Sequence, residues 1–143
     1  MTLDIFIPGT FPGLNDVIKT ARGTRGRGSI MGAARQKAQH TERVAWQAIL
    51  QCRKAFSFNK PVFVEFLWIE QSRRRDPDNI ASAKKFILDG LVKAGVLVND
   101  GWSQIAGFSD SWTVDKTKPG VQVTITEVGI WKTHQNHNRE FGR

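Results

Sequence analysis

The segment between Pro61 and Ile69 constrains the fold of this chain more than any other. It is rich in Val, Phe and Trp, and its residues fall into two alternating sets. One set is Val62, Val64, Phe66 and Trp68, and the other is Phe63, Glu65 and Leu67. Because successive side chains of a strand point to opposite faces, and both sets are largely apolar, the segment is predicted to be a strand buried on both faces for much of its length.

The flanking sequence predicts partners for this strand. Alternating apolar residues indicate strands, an apolar stripe at helical spacing indicates a helix, and a Gly such as Gly95 is typical of a helix end. The further predicted elements are strands at Leu3–Pro8, Ile105–Val114 and Val121–Val128 and helices at Ala33–Arg53 and Asp78–Ala94. The order β-α-β-α-β-β predicts one α+β domain over residues 1–130, with a mixed sheet and packed helices. Residues 131–143 are predicted to form a polar, basic, flexible tail.

The charge balance narrows the class of partner. Among 143 residues, 21 Lys and Arg face 13 Asp and Glu, giving a formal net charge of +8, which favours a polyanionic partner such as nucleic acid. No apolar run approaches the roughly 20 residues of a spanning helix, and no secretory signal is visible. The single cysteine, Cys52, cannot form an internal disulfide or a cysteine metal site. We therefore expect a cytoplasmic protein without a membrane partner.

The basic residues are concentrated in two places. Between Lys19 and Lys37 they alternate with glycines, which predicts a mobile loop that contacts DNA phosphates, the alternative being a solvated loop that is merely basic. The second cluster, Arg73 to Arg75, leads directly into acidic residues. The predicted DNA contacts are Lys19, Arg22, Arg25, Arg27, Arg73, Arg74, Arg75 and Lys84.

Asp76 and Asp78 carry the chemistry of the segment that follows. Pro77 disfavours a helical Asp76, so Asp76 is predicted at the N-cap and Pro77 at the first helical position. Two acids there favour the helix dipole, and they can also pair with the preceding arginines. Alternatively, two adjacent carboxylates repel unless a cation neutralises them, and Mg²⁺ prefers carboxylate oxygens. Asp100 is a third acid, which joins them only if the chain returns along the helix.

The helix itself separates polar from apolar residues. At 100° per residue, Asp78, Ser82, Lys85 and Asp89 share the polar line, and Lys84 lies off it by about a third of a turn. Asp89 lies about 16 Å along the axis from Asp78, too far to share one ion. We therefore interpret Asp89 as an i,i+4 partner of Lys85.

Three runs within this region resemble the RusA family of Holliday junction resolvases. They are RRDPDNI at 74–80, LDGLVKAG at 88–95 and ND at 99–100, and the likeness extends over most of residues 3 to 128. The resemblance implies a homodimeric, Mg²⁺-dependent endonuclease whose catalytic, metal-binding acids are Asp76, Asp78 and Asp100. It also implies functional basic residues at Arg75 and Lys85. Alignment backwards from Asp89 selects Lys85, with Lys84 as the second choice.

The function implied is resolution of four-way DNA junctions by paired nicks in strands of like polarity, in a bacterial cell and often from a phage or prophage gene. Asp76, Asp78 and Asp100 would hold one or two Mg²⁺ ions for phosphodiester hydrolysis, with Lys85 and Arg75 on the phosphate. Two alternatives stay open. One is a basic DNA-binding module without catalysis, and the other is a nuclease for other branched DNA.

Overall fold

The computed structural model describes residues 1–23, 27–52 and 56–128, apart from the side chains of residues 23 and 27–30. These residues form a four-stranded sheet with helices on one face. Its strands are β1 (Thr2–Pro8), β2 (Val62–Glu70), β3 (Ile105–Val114) and β4 (Gly120–Glu127). Its helices are α1 (Leu14–Gly23), α2 (Arg27–Gln51), α3 (Pro77–Ala81) and α4 (Lys84–Lys93). The predicted α+β architecture with a mixed sheet is confirmed. The predicted tail, 131–143, lies outside the described residues.

The strand order is β1-β4-β2-β3, with β4 antiparallel to both of its neighbours and β2 parallel to β3. Val62 at the start of β2 pairs with Ile105, and Glu70 at its end pairs with Val114. Because these two strands are parallel, the loop before β3 emerges at the opposite end of the sheet from the turn after β2. This topology separates Asp100, which precedes β3, from the turn after β2.

Strand β2 is buried on one face only. Val64, Phe66 and Trp68 lie in the core, whereas Phe63 and Leu67 on the other face are half-buried and Glu65 is exposed. The prediction of burial on both faces was therefore wrong. The helices cover one face of the sheet, and alternating side chains of a strand cannot all point to that face.

Helices α2 and α4 cross closely over the buried face of the sheet. A Cβ placed on Gly90 of α4 would collide with the Val44 side chain of α2 and would lie 2.9 Å from the Thr41 carbonyl oxygen. Gly90 thus permits a contact between the two helix backbones that a larger residue would prevent. Within the described ranges, no helix has the length and apolarity needed to cross a bilayer.

The helix predicted over Asp78–Ala94 is interrupted near Ser82. The Ser82 hydroxyl donates to the Asn79 carbonyl oxygen at 2.6 Å, and the Ala83 N–H bonds to the Ile80 carbonyl oxygen three residues back. This tighter turn separates α3 from α4. The predicted end is confirmed, because Gly95 follows α4 with a φ of +81°, a conformation that favours glycine.

The basic segment between Lys19 and Lys37 is largely helical, so the prediction of a loop was wrong there. Lys19 and Arg22 belong to α1, and α2 begins at Arg27 and continues past Lys37. A glycine inside a helix costs only about 1 kcal/mol relative to Ala. Packing of α2 on α1, α4 and β1 offsets that cost. Arg25 lies outside the described residues.

The outer edge of β1 is covered at its centre by a glutamine side chain. The Gln51 amide accepts a hydrogen bond from the Phe6 N–H at 2.8 Å and donates one to the Phe6 carbonyl oxygen at 2.7 Å. These are the two bonds that a neighbouring strand would otherwise make. The side chain of Gln51 therefore ties the end of α2 to the edge of the sheet.

Candidate functional site

The candidate site is built on the turn that joins β2 to α3. Asp76 occupies the N-cap position of α3 with extended backbone angles, φ −70° and ψ 148°, and Pro77 starts the helix. A residue before proline avoids the helical region, which is why the helix begins here. The predicted backbone positions of Asp76 and Pro77 are confirmed. The Asp76 side chain, however, makes no capping hydrogen bond and is exposed.

Asp76 and Asp78 thus present two exposed carboxylates, two residues apart. Asp78 Oδ1 accepts a hydrogen bond at 2.9 Å from the Asn79 backbone N–H. Among the described residues, neither carboxylate forms an ion pair with the preceding arginines, and the ion pairs of Arg75 go elsewhere. Among the described residues, the side chain of Asp76 therefore does not cap α3, and neither acid pairs with an arginine.

Arg75 is held by the protein on three sides. Its Nε and Nη2 lie 2.9 and 2.8 Å from Glu70 Oε1, and its Nη1 donates to the Phe11 carbonyl oxygen at 2.8 Å. The carboxylate of Asp16 in α1 lies 3.7 Å from the same Nη1. Arg75 therefore fixes the turn that carries the acids. Glu70 was not identified from the sequence, although it continues the alternating set of buried residues in β2.

Lys85 and Asp100 form a second charged group. Lys85 Nζ lies 2.8 Å from Asp100 Oδ2 and 2.9 Å from Asp89 Oδ1, and Lys37 Nζ lies 3.7 Å from Asp89 Oδ2. The hydrogen bond that Lys85 donates to Asp100 is the main reason that the pKa of Lys85 is raised. The predicted i,i+4 pairing of Lys85 with Asp89 is confirmed.

The three acids expected to bind metal do not form one group in the single chain. Asp100 contacts Lys85 in the first turn of α4, whereas Asp76 and Asp78 precede the break near Ser82. Within residues 1–23, 27–52 and 56–128, no three His, Cys, Asp or Glu side chains are placed to hold a metal ion together. Mg²⁺ needs only one or two carboxylates from a protein and keeps waters and phosphate oxygens as its other ligands, so Asp76 and Asp78 stay candidates for a smaller site. The three-carboxylate site stays a prediction.

Lys84 faces the edge strand β3. Its Nζ lies 2.7 Å from Asp110 Oδ2 and packs over the rings of Phe66 and Phe108. The Trp68 indole N–H donates to the other Asp110 oxygen at 2.9 Å. The ammonium predicted to contact DNA is therefore engaged by a half-buried carboxylate. Asp110 was not identified from the sequence, although it belongs to the alternating set of β3 residues that faces the helices.

Two adjoining cavities flank the turn after β2. The first, about 410 Å³, is lined by Arg73, Asp76 and the end of β3, and the second, about 540 Å³, by Arg74 and Lys116. Both include Glu70 and Arg75, so the Arg75–Glu70 pair separates them. Arg73 and Arg74 are exposed and have no ion-pair partner among the described residues. Arg73, Arg74 and Lys116 thus place basic groups around Asp76.

Of the remaining predicted DNA contacts, Lys19 and Arg22 belong to α1 and Arg27 belongs to α2. Lys19 and Arg22 are exposed on α1 and line a shallow pocket of about 430 Å³. Arg27 starts α2, but its side chain, like all of Arg25, lies outside the described part. The Asp16–Arg75 ion pair links the first turn of α1 to the candidate site.

Comparison with protein-family models and with curated proteins gave no match for this chain. The resemblance to the RusA family therefore depends on the sequence runs at 74–80, 88–95 and 99–100.

Proposed function

We propose that the chain is a Mg²⁺-dependent endodeoxyribonuclease that resolves four-way DNA junctions. The observation that supports this most is the pair of exposed carboxylates, Asp76 and Asp78, on a basic surface. Two neighbouring carboxylates without a cationic partner repel each other, which a bound cation relieves. A surface that only binds phosphates gains nothing from such a pair, because it repels the ligand.

Asp76 and Asp78 would bind the metal, and Arg73 and Arg74 would contact phosphates on either side of the turn. Arg75 acts by holding this turn in place, since its guanidinium is already bound to Glu70 and Phe11. When bound, Mg²⁺ supplies Lewis acidity for attack of water on the phosphodiester.

Asp100 and Lys85 enter the proposal through the family resemblance. As placed in the single chain, they do not fit one ion together with Asp76 and Asp78. Their ion pair is exposed on the lysine side, and exposed pairs contribute only about 0.2–1 kcal/mol. Opening the pair therefore costs little, and we propose that Asp100 is released from Lys85 when the protein acts on DNA.

The deciding experiment compares nicking of a four-way junction by wild type, Asp78→Asn and Asp100→Asn, with and without Mg²⁺. We expect both variants to lose at least about 100-fold in rate, the loss typical when one preorganised electrostatic group is removed from an active site, while DNA binding is retained. Asp4→Asn is the matched control, because Asp4 is an exposed acid on β1 whose bond from Thr124 the amide can keep.

Equal Mg²⁺-dependent nicking by wild type and Asp78→Asn would contradict the catalytic assignment. A loss confined to Asp78→Asn would restrict the metal site to Asp76 and Asp78 and exclude Asp100.

The second candidate is a DNA-binding module without catalysis. It is favoured by the absence of a three-acid group among the described residues and by the engagement of Lys85 with Asp100. It predicts junction binding without nicking by any variant. Competition among linear, flapped and four-way DNA separates the remaining alternative, a nuclease for other branched substrates.

The proposal includes a homodimer. A four-way junction has approximate two-fold symmetry, so an isologous dimer would present two identical sites to opposed strands. Light scattering on the free protein gives the oligomeric state, and a monomer at assay concentration that still makes paired nicks would contradict this part.

A further inference from the structure

The cavity beside Asp76 combines an apolar lining with an exposed aromatic ring. Its volume of about 410 Å³ falls within the range of small-ligand sites, about 300–1,000 Å³. Ile80, Trp112 and Val114 supply apolar lining, and Arg73 and Asp76 supply charge. Such a mixture suits a ligand with flat apolar faces and an anionic group.

Trp112 is the unusual member of this lining. It is 41% exposed, whereas Trp68, its register partner on β2, is buried and stacked on Phe66 with ring centroids 5.4 Å apart. Among the described residues, Trp112 has neither a ring partner nor an acceptor for its indole N–H. An exposed indole face at the wall of a cavity is available for stacking.

Basic side chains line both this cavity and the adjoining one. Arg73 lines the same cavity, and Arg74 and Lys116 line the adjoining one, which shares Glu70 and Arg75 with it. An aromatic platform beside cations is the combination that binds single-stranded nucleic acid, with bases on the ring and phosphates on the cations.

We propose that this cavity binds one unstacked nucleobase of a DNA strand, with the base on Trp112 and the adjacent phosphates on Arg73 and Arg74. Bases inside a duplex are stacked on each other and cannot enter, whereas the branch point of a junction interrupts stacking. The branched substrate is the part of this inference that rests on the proposed function. By accepting an unstacked base, the cavity would distinguish the branch point from the arms. It lies beside the acids that are proposed to hold the metal for cleavage.

The test uses a four-way junction that carries 2-aminopurine either at the branch point or in the middle of one arm, with EDTA present so that no strand is cut. The fluorescence of 2-aminopurine reports its stacking. Wild type is expected to change the signal of the branch-point probe and not that of the arm probe. Trp112→Ala is expected to abolish the change and to weaken junction binding by about 5- to 140-fold, the loss typical of one stacked base.

Trp102→Ala is the matched control, because Trp102 is fully exposed and does not line the cavity. Trp112→Phe keeps an aromatic face and should retain most of the signal change, whereas Trp112→Leu keeps apolar volume and should lose it. This pair also decides the question if the alanine variant is unstable.

A signal change that survives Trp112→Leu, or an equal loss in Trp102→Ala, would overturn the inference. Nicking in Mg²⁺ is measured separately. A branch-point signal without nicking removes the nuclease and keeps the base site. Nicking and a fluorescence change that both survive Trp112→Leu remove only the base site.

Discussion

Replacement of Arg75 by methionine tests whether the Arg75–Glu70 pair holds the candidate site together. Glu70 is only 8% exposed, and both of its contacts with Arg75 end on the same oxygen, Oε1. Removing one partner of a buried pair costs about 3–5 kcal/mol because the other charge stays buried and unpaired. Since the Arg75 side chain is 25% exposed, we expect Arg75→Met to lower the free energy of unfolding by about 2–4 kcal/mol.

Urea denaturation measures this loss. With a slope of about 2 kcal/mol per molar urea, the midpoint of Arg75→Met should fall by about 1–2 M. Arg74→Met, at an exposed neighbour without an ion pair among the described residues, should stay within about 0.5 kcal/mol of wild type. The double variant Glu70→Gln/Arg75→Met should be more stable than Arg75→Met, because the unpaired charge is gone. Strictly additive losses in this cycle would refute the reasoning.

Two further predictions concern the fold. Gly90→Ala should lower the free energy of unfolding, measured by calorimetry, by about 2–3 kcal/mol, since its Cβ would collide with Val44 and force α2 and α4 apart. The control Gly95→Ala is strained only by the positive φ of that position and should lose about 1 kcal/mol. Equal losses in the two variants would contradict the steric cause. The pKa of His40 is lowered by burial and by Arg43, so the unfolded chain binds the proton more readily and stability should fall as the pH drops below the unfolded pKa of about 6.5. His40→Gln should flatten this decline between pH 7 and 5 in urea titrations, and an unchanged slope would assign the pH dependence to other groups.

Features with a local physical cause could be predicted from the sequence. The extended Asp76 before Pro77 and the glycine at the end of α4 follow from backbone sterics, which neighbours along the chain determine. The strands followed from alternation, and Asp89 was correctly paired with Lys85 because four residues make one helical turn. These features depend on interactions over a few residues.

Features that depend on packing between distant segments could not be predicted. The parallel pairing of β3 with β2 places Asp100 at one end of the sheet and brings Trp112 to the end that carries Asp76. Nothing within the sequence near Asp100 encodes that pairing. The helical state of the glycine-containing start of α2 likewise depends on its packing partners. Glu70 and Asp110 were predictable in principle, since each continues an alternating set of its strand.

The amide of Gln51 has a consequence for how sheets of this protein can associate. It occupies the outward N–H and carbonyl of Phe6 on β1, and Pro8 on the same edge has no N–H to offer. No described residue makes comparable bonds to the outer side of β3. An edge that is interrupted at its centre is a poorer template for a second strand than the outer edge of β3, so edge-to-edge pairing is expected through β3. Pairing of two β3 edges about a two-fold axis would use this edge of both copies, so association through it would end with two chains.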